Sequence, residues 1–414
     1  MEKIKIGILG GGLSGLTAAY LLNKKLQDKI KLTIIEKESE LGGRILTKKF
    51  LGCPIELGAQ FFVDGGEVHS LVKSLNLERD VISLENNFIS FYYNNSIFDI
   101  SELINCQDNK LEWIREKEKL LDFARKVNFE QKLISFSFEE WYRKKIGDKM
   151  LQFLNRMLIS IGVRDIKSIN AYFGLILINV FFGKNYLLKS GLKTLINNLI
   201  KQINSSDCSI LLNSECTKIE GLENNFKLTI KKEGSSNILN FDKLIVAIKP
   251  NEILKIMSFD KINTLKKIDE HPMKLYVIES SKQLWQKTWG LIIVQEDFTI
   301  YALCDWKNIT KANEKTPILL ICSPDAETNE VLSNLKYLSP DEDSKFKIID
   351  EKKWEIGLHQ ANEDFFKIPK FIKNYLPKGV YLAGDWTVLP ALEGAVISAQ
   401  KSIKQLINDI ETED

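Results

Sequence analysis

Arginine, histidine and paired cysteines are all scarce in this chain of 414 residues. Only seven of its 57 basic residues are arginine, and only three residues are histidine. The six cysteines are scattered and form no Cys-x-x-Cys pair, which argues against a zinc ribbon or a thioredoxin-type redox pair. The histidines are equally dispersed, so we expect no metal site.

Long apolar runs and a strong net charge are missing as well. No uninterrupted run of 18 apolar residues occurs, so we expect no membrane-spanning helix, and the most apolar stretch, 171–183, is predicted to be a buried helix. The net charge of +2 provides no global field for binding nucleic acid. A strand-like segment follows the first residues with no secretory signal, which favours a cytoplasmic protein.

The composition that remains is typical of a globular protein. Apolar residues make up 44% and charged residues 27%, and the length suggests two or three domains. Residues 3–9 and 31–37 read as buried strands, and the segment between them has helical spacing after a glycine turn. A unit of this kind predicts parallel strands joined by a right-handed crossover.

The glycine turn has the spacing Gly-x-Gly-x-x-Gly. Gly10 allows a tight turn, Gly12 lets the backbone approach a pyrophosphate, and Gly15 lets helix and strand pack closely. The helix that begins around Leu13 and Ser14 offers unpaired N–H groups and partial positive charge to phosphates. The turn is therefore a candidate dinucleotide site, although glycine turns also serve simple packing.

Two further features suit a dinucleotide. Glu36 ends the next strand, 21 residues after Gly15, where a carboxylate would bind ribose hydroxyls and repel a 2′-phosphate. Arg44 follows two glycines, and a guanidinium can bind a diphosphate through two parallel hydrogen bonds, which lysine cannot do. We assign this second group of residues to the cofactor site: Glu36, Lys37, Gly42, Gly43 and Arg44.

Taken in chain order, the glycine turn, Glu36 and the Gly42-Gly43-Arg44 motif resemble the N-terminal FAD-binding segment of the flavin amine oxidase superfamily. That group includes amine oxidases, phytoene-type desaturases, protoporphyrinogen oxidases and renalase-like proteins. The resemblance implies that Gly58, Ala59 and Gln60 lie beside the flavin and that a backbone group at Cys216 holds the adenine. It also implies that the strand 244–250 closes the middle segment of the FAD domain. The C-terminal flavin motif would consist of Gly384, Asp385, Glu393, Gly394, Ala395 and Val396.

The C-terminal motif also has a physical interpretation once a flavin is implied. Asp385 could accept hydrogen bonds from ribityl hydroxyls or position water near the diphosphate. The helix that begins at Glu393 would direct free N–H groups at the flavin N1–C2=O edge, where they stabilise the negative charge of the reduced state. No cysteine follows Cys322, so a C-terminal thioether link is excluded and FAD should be non-covalent.

On the substrate side, the resemblance implies fewer residues. Lys274, eleven residues before Trp285, matches a lysine that holds water at flavin N5, and we expect its pKa to be lowered by partial desolvation. The alternative is a surface lysine at a strand edge. Trp354 matches a position near the active site, or is a core residue.

The resemblance predicts an α/β fold with two parts. A Rossmann-type FAD-binding domain would be discontinuous in sequence, formed by 1–80, 190–250 and 355–414. An inserted α+β substrate domain would be formed by 81–189 and 251–354. A substrate pocket would lie between them, over the flavin.

The resemblance implies an FAD-dependent oxidoreductase that oxidises a C–N or C–C bond of a small molecule by hydride transfer to flavin N5, with O2 or another acceptor as the oxidant. Glu40 stands where the family's amine oxidases often carry arginine, which leaves three readings open. The first is amine-oxidase-like. The second is an isoprenoid or carotenoid desaturase or porphyrinogen oxidase with peripheral membrane contact through 171–183. The third is a flavin-binding protein without turnover.

Overall fold

The computed structural model describes residues 2–84, 89–93, 95–99, 131–143, 145–203, 207–282, 290–305, 317–339 and 341–413. Two features predicted from the sequence, a charged helix at 109–127 and Trp285, lie outside these ranges.

The helices of the described residues follow in chain order: α1 (Leu13–Leu26), α2 (Glu67–Ser74), α3 (Gln131–Ile134), α4 (Phe138–Tyr142), α5 (Asp148–Ile159), α6 (Ala171–Phe182), α7 (Lys193–Ile203), α8 (Pro250–Ile256), α9 (Thr328–Leu338), α10 (Ile368–Ile372) and α11 (Leu392–Glu413). The strands are β1 (Ile4–Leu9), β2 (Ile30–Ile35), β3 (Thr47–Phe50), β4 (Cys53–Glu56), β5 (Phe62–Val63), β6 (Val81–Ser83), β7 (Ile89–Tyr93), β8 (Ser96–Asp99), β9 (Asn185–Leu188), β10 (Cys208–Leu211), β11 (Glu215–Leu222), β12 (Asn225–Lys232), β13 (Ser235–Phe241), β14 (Lys243–Val246), β15 (Asp269–Ser280), β16 (Leu291–Val294), β17 (Ile300–Asp305), β18 (Ile318–Cys322), β19 (Phe346–Gln360) and β20 (Val380–Leu382).

A five-stranded parallel sheet takes its strands from widely separated parts of the chain, in the order β10-β2-β1-β14-β20. One face, with Ile6 and Ile8, packs against α1, α7 and α11. The other face, with Leu9 and Leu244, packs against Phe226 of the antiparallel meander β11–β13. Both faces are covered, which explains why the strands are almost wholly apolar.

A seven-stranded mixed sheet forms the second part of the molecule, in the order β19-β15-β18-β17-β16-β7-β8. On β15, Leu275 and Val277 face the core that contains α5 and α6, whereas Tyr276 and Ile278 face the core that contains α9. The strand alternates between two buried faces, so its side chains serve two different cores.

The predicted buried helix at 171–183 is present as α6. Asn170 caps it by accepting a hydrogen bond from the Phe173 N–H, and most of its side chains are buried. Among the described residues, no helix is both long enough and apolar enough to cross a membrane.

Every strand of the parallel sheet falls within the three segments predicted for the FAD-binding domain. However, β19 runs without interruption through the predicted boundary between residues 354 and 355. The largest apolar core also includes side chains from both predicted domains, such as Leu9 and Leu275. The division into two domains therefore remains a prediction, with a boundary inside a continuous strand.

Candidate functional site

The glycine turn between β1 and α1 has no room for side chains at two of its three predicted positions. Gly10 has φ +97°, and a Cβ there would lie 2.5 Å from the Ala247 carbonyl oxygen. A Cβ on Gly15 would lie 2.0 Å from the Gly10 carbonyl oxygen. No side chain caps the first turn of α1, so the N–H groups around Leu13 and Ser14 remain available to an anion.

Glu36 lies directly beside this turn. Its carboxylate accepts hydrogen bonds from the Gly11 N–H at 2.7 Å and the Glu38 N–H at 2.9 Å, and only 8% of the residue is exposed. Two N–H groups leave further lone pairs of the carboxylate free. The adjacent Lys37 forms an ion pair with Glu252.

An open polar cleft of about 360 Å³ lies beyond Glu36. Its lining includes Lys37, Glu38, Asn213 and Glu215. Cys216, the predicted adenine-contacting position, follows Glu215 at a bulge of β11, and burial raises the pKa of its thiol to about 12. The thiol is therefore protonated at neutral pH and is a poor nucleophile.

A second glycine turn packs on the first. The Gly42 N–H donates to the Gly11 carbonyl at 2.9 Å, and a Cβ on Gly43 would lie 3.1 Å from the Gly12 Cα. Gly42 and Gly43 both have positive φ, at +134° and +59°. The close approach of the two turns brings Arg44 close to the N-terminus of α1.

Arg44 joins a group of charged and polar side chains that comes from distant parts of the chain. Its Nη2 donates to Asp385 Oδ1 at 2.5 Å. The Nε2 atom of His359, a residue only 1% exposed, lies 3.7 Å from the same carboxylate oxygen. On the other side of the imidazole, Nδ1 lies 3.9 Å from Glu270 Oε1.

Burial and neighbouring charges control the ionisation of this group. Burial lowers the pKa of His359 to about 4, although Asp385 opposes the shift. Burial raises the pKa of Glu270 to about 6, against the nearby cations Lys249 and Arg44. Burial alone would raise the pKa of Asp385, but Arg44 and His359 outweigh it and the pKa is lowered.

Residues Gly58 to Gln60 pass directly behind Arg44. A Cβ on Gly58 would lie 2.0 Å from the Arg44 carbonyl oxygen, and the Ala59 N–H donates to that oxygen at 3.1 Å. The indole N–H of Trp354 donates to the Leu57 carbonyl at 2.6 Å. The structure therefore brings Trp354 beside the segment that precedes Gln60.

The C-terminal motif closes the same region. The Gly384 N–H donates to Ser398 Oγ on α11, and a Cβ on Gly394 would lie 1.8 Å from the Leu389 carbonyl oxygen. Ala395 and Val396 are buried in the first turns of α11. The Glu393 carboxylate accepts from the backbone N–H groups of Glu67 at 2.6 Å and Val68 at 3.1 Å, while its Oε1 atom is buried without a partner.

The structure does not bring Lys274 to this region. In the β15–β19 register Lys274 is opposite Lys353, and Met273 is opposite Trp354. Because successive side chains of a strand point to opposite faces, Lys274 faces away from Trp354. Its Nζ donates to the Ala326 carbonyl at 3.1 Å, and a hydrogen bond with Tyr276 raises its pKa. The expected lowered pKa is wrong, whereas the catalytic role of Lys274 remains a prediction, for a side chain on the face of β15 opposite to Met273.

Sequence reasoning missed His359, Glu270 and the side-chain role of Glu393. None of the three belongs to a local motif that predicts its contact. His359 and Glu270 meet only because they are paired in the β15–β19 register, 89 positions apart.

Together, the glycine turns, the buried carboxylate of Glu36 and the parallel sheet form an α/β arrangement typical of dinucleotide-binding proteins. A family model described as flavin containing amine oxidoreductase matches residues 13–406. The chain belongs to this family. The predicted resemblance, the fold class and the class of flavoprotein oxidoreductase are thereby confirmed.

Individual relatives are similar over shorter stretches. Coproporphyrinogen III oxidase of Mycobacterium bovis is 43% identical over 56 residues, which are 14% of this chain and 12% of that protein. Polyamine oxidase 1 of Oryza sativa subsp. japonica is 35% identical over 74 residues, 17% of this chain and 14% of that protein. The shared stretches thus span a small fraction of both relatives.

Solved structures are similar over the whole chain. Cyclohexylamine oxidase from Brevibacterium oxydans superposes with a TM-score of 0.74 at 17% identity and covers 99% of this chain and 100% of its own. At this identity the likeness concerns the fold alone.

Proposed function

We propose that this protein binds FAD non-covalently and oxidises a C–N or C–C bond of a small molecule, with O2 or another compound as the electron acceptor. The observation that carries the proposal is the convergence of the two glycine turns, Glu36, Arg44 and Asp385 on one edge of the parallel sheet. Ligands of open α/β sheets bind at this edge, beyond the carboxyl ends of the strands.

The residues present fit such a cofactor. The first turn of α1 is uncapped, and Cβ atoms at Gly10 or Gly15 would collide with backbone, so the turn is shaped for close approach by a phosphate. Three buried polar atoms of this site have no hydrogen-bond partner among the described residues: His359 Nδ1, Glu270 Oε1 and Glu393 Oε1. Buried polar atoms without partners are uncommon, and such atoms at a cofactor site are explained by a polar occupant.

We assign each part of the site a role. Gly10 to Gly15 with Arg44 would hold the diphosphate, Glu36 a ribose, and the backbone at Cys216 the adenine. Asp385 with Gly384 would face the ribityl chain, and the start of α11 the pyrimidine edge. Gly58 to Gln60 and Trp354 would position the ring. When bound, FAD would supply two-electron oxidation of a substrate C–H bond.

The surroundings of Trp354 favour oxidation at carbon over oxidation of a cationic amine. Met273, which is apolar, is paired with Trp354, and Lys352 Nζ lies 4.3 Å from the centroid of the indole ring. A cation beside the proposed substrate site would repel a protonated amine, attract an acidic substrate and leave an uncharged one unaffected. A porphyrinogen-type or polyene substrate is therefore the second candidate.

An anaerobic titration tests both candidates. The purified yellow protein is mixed without O2 with a panel of amines, porphyrinogens and polyenes, and loss of the visible flavin absorption is recorded. We expect one class of compound to bleach the flavin. If Lys352 excludes cations, that class is the porphyrinogens or the polyenes. Failure of every compound to bleach the flavin would favour a flavin-binding protein without turnover. A colourless protein that does not bind added FAD would contradict the proposal itself.

A further inference from the structure

Two buried polar atoms face each other without making a hydrogen bond. His359 Nδ1 and Glu270 Oε1 are 3.9 Å apart, and neither atom has a hydrogen-bond partner in the part of the chain that the structure describes. A hydrogen bond between nitrogen and oxygen requires about 3 Å, so this gap is nearly 1 Å too wide. An unsatisfied pair costs stability, which indicates that the arrangement serves a state in which the two groups do bond.

Cations and carboxylates surround the pair. The groups that face Glu270 and His359 come from the second glycine turn, the start of α8, β15 and the C-terminal motif: Arg44, Lys249, Glu252, Asp269 and Asp385. Two of the carboxylates are neutralised elsewhere, because Asp269 pairs with Arg164 and Glu252 pairs with Lys37. Arg44 is thus left to balance Asp385 directly.

A diphosphate beside Arg44 would change this balance. The diphosphate would place negative charge next to the Arg44 guanidinium, which now neutralises Asp385. The diphosphate and Asp385 would then share this guanidinium. Added negative charge favours the protonated form of any nearby titratable group. The titratable groups that interact with Arg44 at this site include Glu270 and His359.

We propose that Glu270 and His359 are cofactor-site residues, which together take up one proton when the diphosphate of FAD binds beside Arg44. The inference depends on the proposed FAD site. The proton comes from the buffer, and it is held between Glu270 Oε1 and His359 Nδ1, closing the gap to a charge-assisted hydrogen bond. The positive charge gained by the pair offsets the negative charge of the diphosphate.

The sign of the pH dependence follows from this uptake. Glu270, with a pKa of about 6, and His359, with a pKa of about 4, are both mainly deprotonated at neutral pH before binding. Binding that takes up a proton is tighter at lower pH. For one proton, the Kd for FAD rises by up to about tenfold per pH unit above neutrality.

Calorimetry of the full chain tests the proposal. The apoprotein is titrated with FAD at neutral pH in buffers of different ionisation enthalpy, and the dependence of the observed heat on that enthalpy gives the number of protons taken up. We expect close to one proton for the wild type, and little uptake for the double variant Glu270→Gln/His359→Asn. The control is His271→Gln, because His271 lies next to Glu270 on the opposite face of β15 and should leave the uptake unchanged.

The outcomes separate the two proposals. FAD binding without proton uptake by the wild type would overturn the role of the pair, and so would full uptake by the double variant. Absence of FAD binding by the wild type would instead contradict the proposed cofactor. The wild-type measurement decides the question even if the double variant does not fold.

Discussion

At the scale of single residues, the sequence predicted those positions whose contacts are local. The glycines of the first turn and Glu36 were predicted because a fixed spacing along a strand–turn–helix unit determines where they lie. The face on which Lys274 lies could not be predicted, because a strand residue can face either side and sequence spacing does not fix the register with the neighbouring strand.

Replacing Arg44 tests the most specific predicted contact with the cofactor. Arg44→Ala leaves the buried Asp385 without its ion-pair partner, and because 31% of the arginine side chain is exposed we expect a loss of about 2 kcal/mol in unfolding free energy, at the low end for such pairs. FAD should also bind at least about tenfold more weakly, since the diphosphate loses a charge-assisted contact.

Urea unfolding and FAD fluorescence titration measure the two effects of Arg44→Ala. The control is Arg143→Ala, because Arg143 lies on the surface and pairs only with Glu139 and Asp148 among the described residues. A variant that is purified fully yellow with unchanged affinity would remove Arg44 from the cofactor site.

At the scale of elements, a hairpin supplies the cap of a helix far along the chain. Glu56 on β4 accepts from the Leu192 N–H at 2.6 Å and from the Thr47 hydroxyl at 2.9 Å, and that hydroxyl accepts from the Lys193 N–H at 3.0 Å. No local sequence pattern predicts that β4 and α7 meet. Side chains from β3 and β4 therefore replace a local cap at the start of α7.

Glu56 makes stability depend on pH. Burial raises its pKa to about 7 from an ordinary value of 4.5, so its contribution to stability is complete below about pH 4.5 and is lost as the pH rises through 7. The loss is on the order of 3 kcal/mol. Glu56→Gln keeps the shape without the charge, so it should match the wild type at pH 5 and be more stable at pH 8.

Urea unfolding midpoints at the two pH values provide the comparison. Glu78→Gln is the control, because Glu78 is exposed and should shift stability equally at both. If the difference between wild type and Glu56→Gln is the same at pH 5 and pH 8, Glu56 does not titrate as proposed.

At the scale of the whole molecule, a side chain in the C-terminal helix α11 caps a helix in the N-terminal part of the chain. The Glu393 carboxylate caps α2 from 325 residues away, and there is no room for a Cβ at Gly66, which would lie 2.4 Å from Glu393 Oε1. The overall α/β class could be predicted because motifs at both ends point to one cofactor. The contact between Glu393 and α2 could not be predicted, because it depends on how α2 and α11 pack after the sheet has formed.

Removing the Glu393 carboxylate should destabilise both α2 and α11. Glu393→Ala deprives α2 of an anionic cap, and we expect a loss of about 1–2 kcal/mol in unfolding free energy. Glu393→Gln retains an oxygen acceptor and should lose less. Glu411→Ala, at the exposed far end of α11, serves as the control in the same urea unfolding series. Equal stability of Glu393→Ala and Glu411→Ala would show that the contact between Glu393 and α2 contributes nothing to the unfolding free energy.

The strand order of the parallel sheet has a consequence for biosynthesis. β20, at Val380–Leu382, occupies the edge position beside β14, and Asp385 follows it directly. A ribosome delivers the chain from its N-terminus, so β20 and Asp385 are synthesised after every other strand of the parallel sheet. The sheet therefore gains this edge strand last, and the carboxylate that pairs with Arg44 arrives with it.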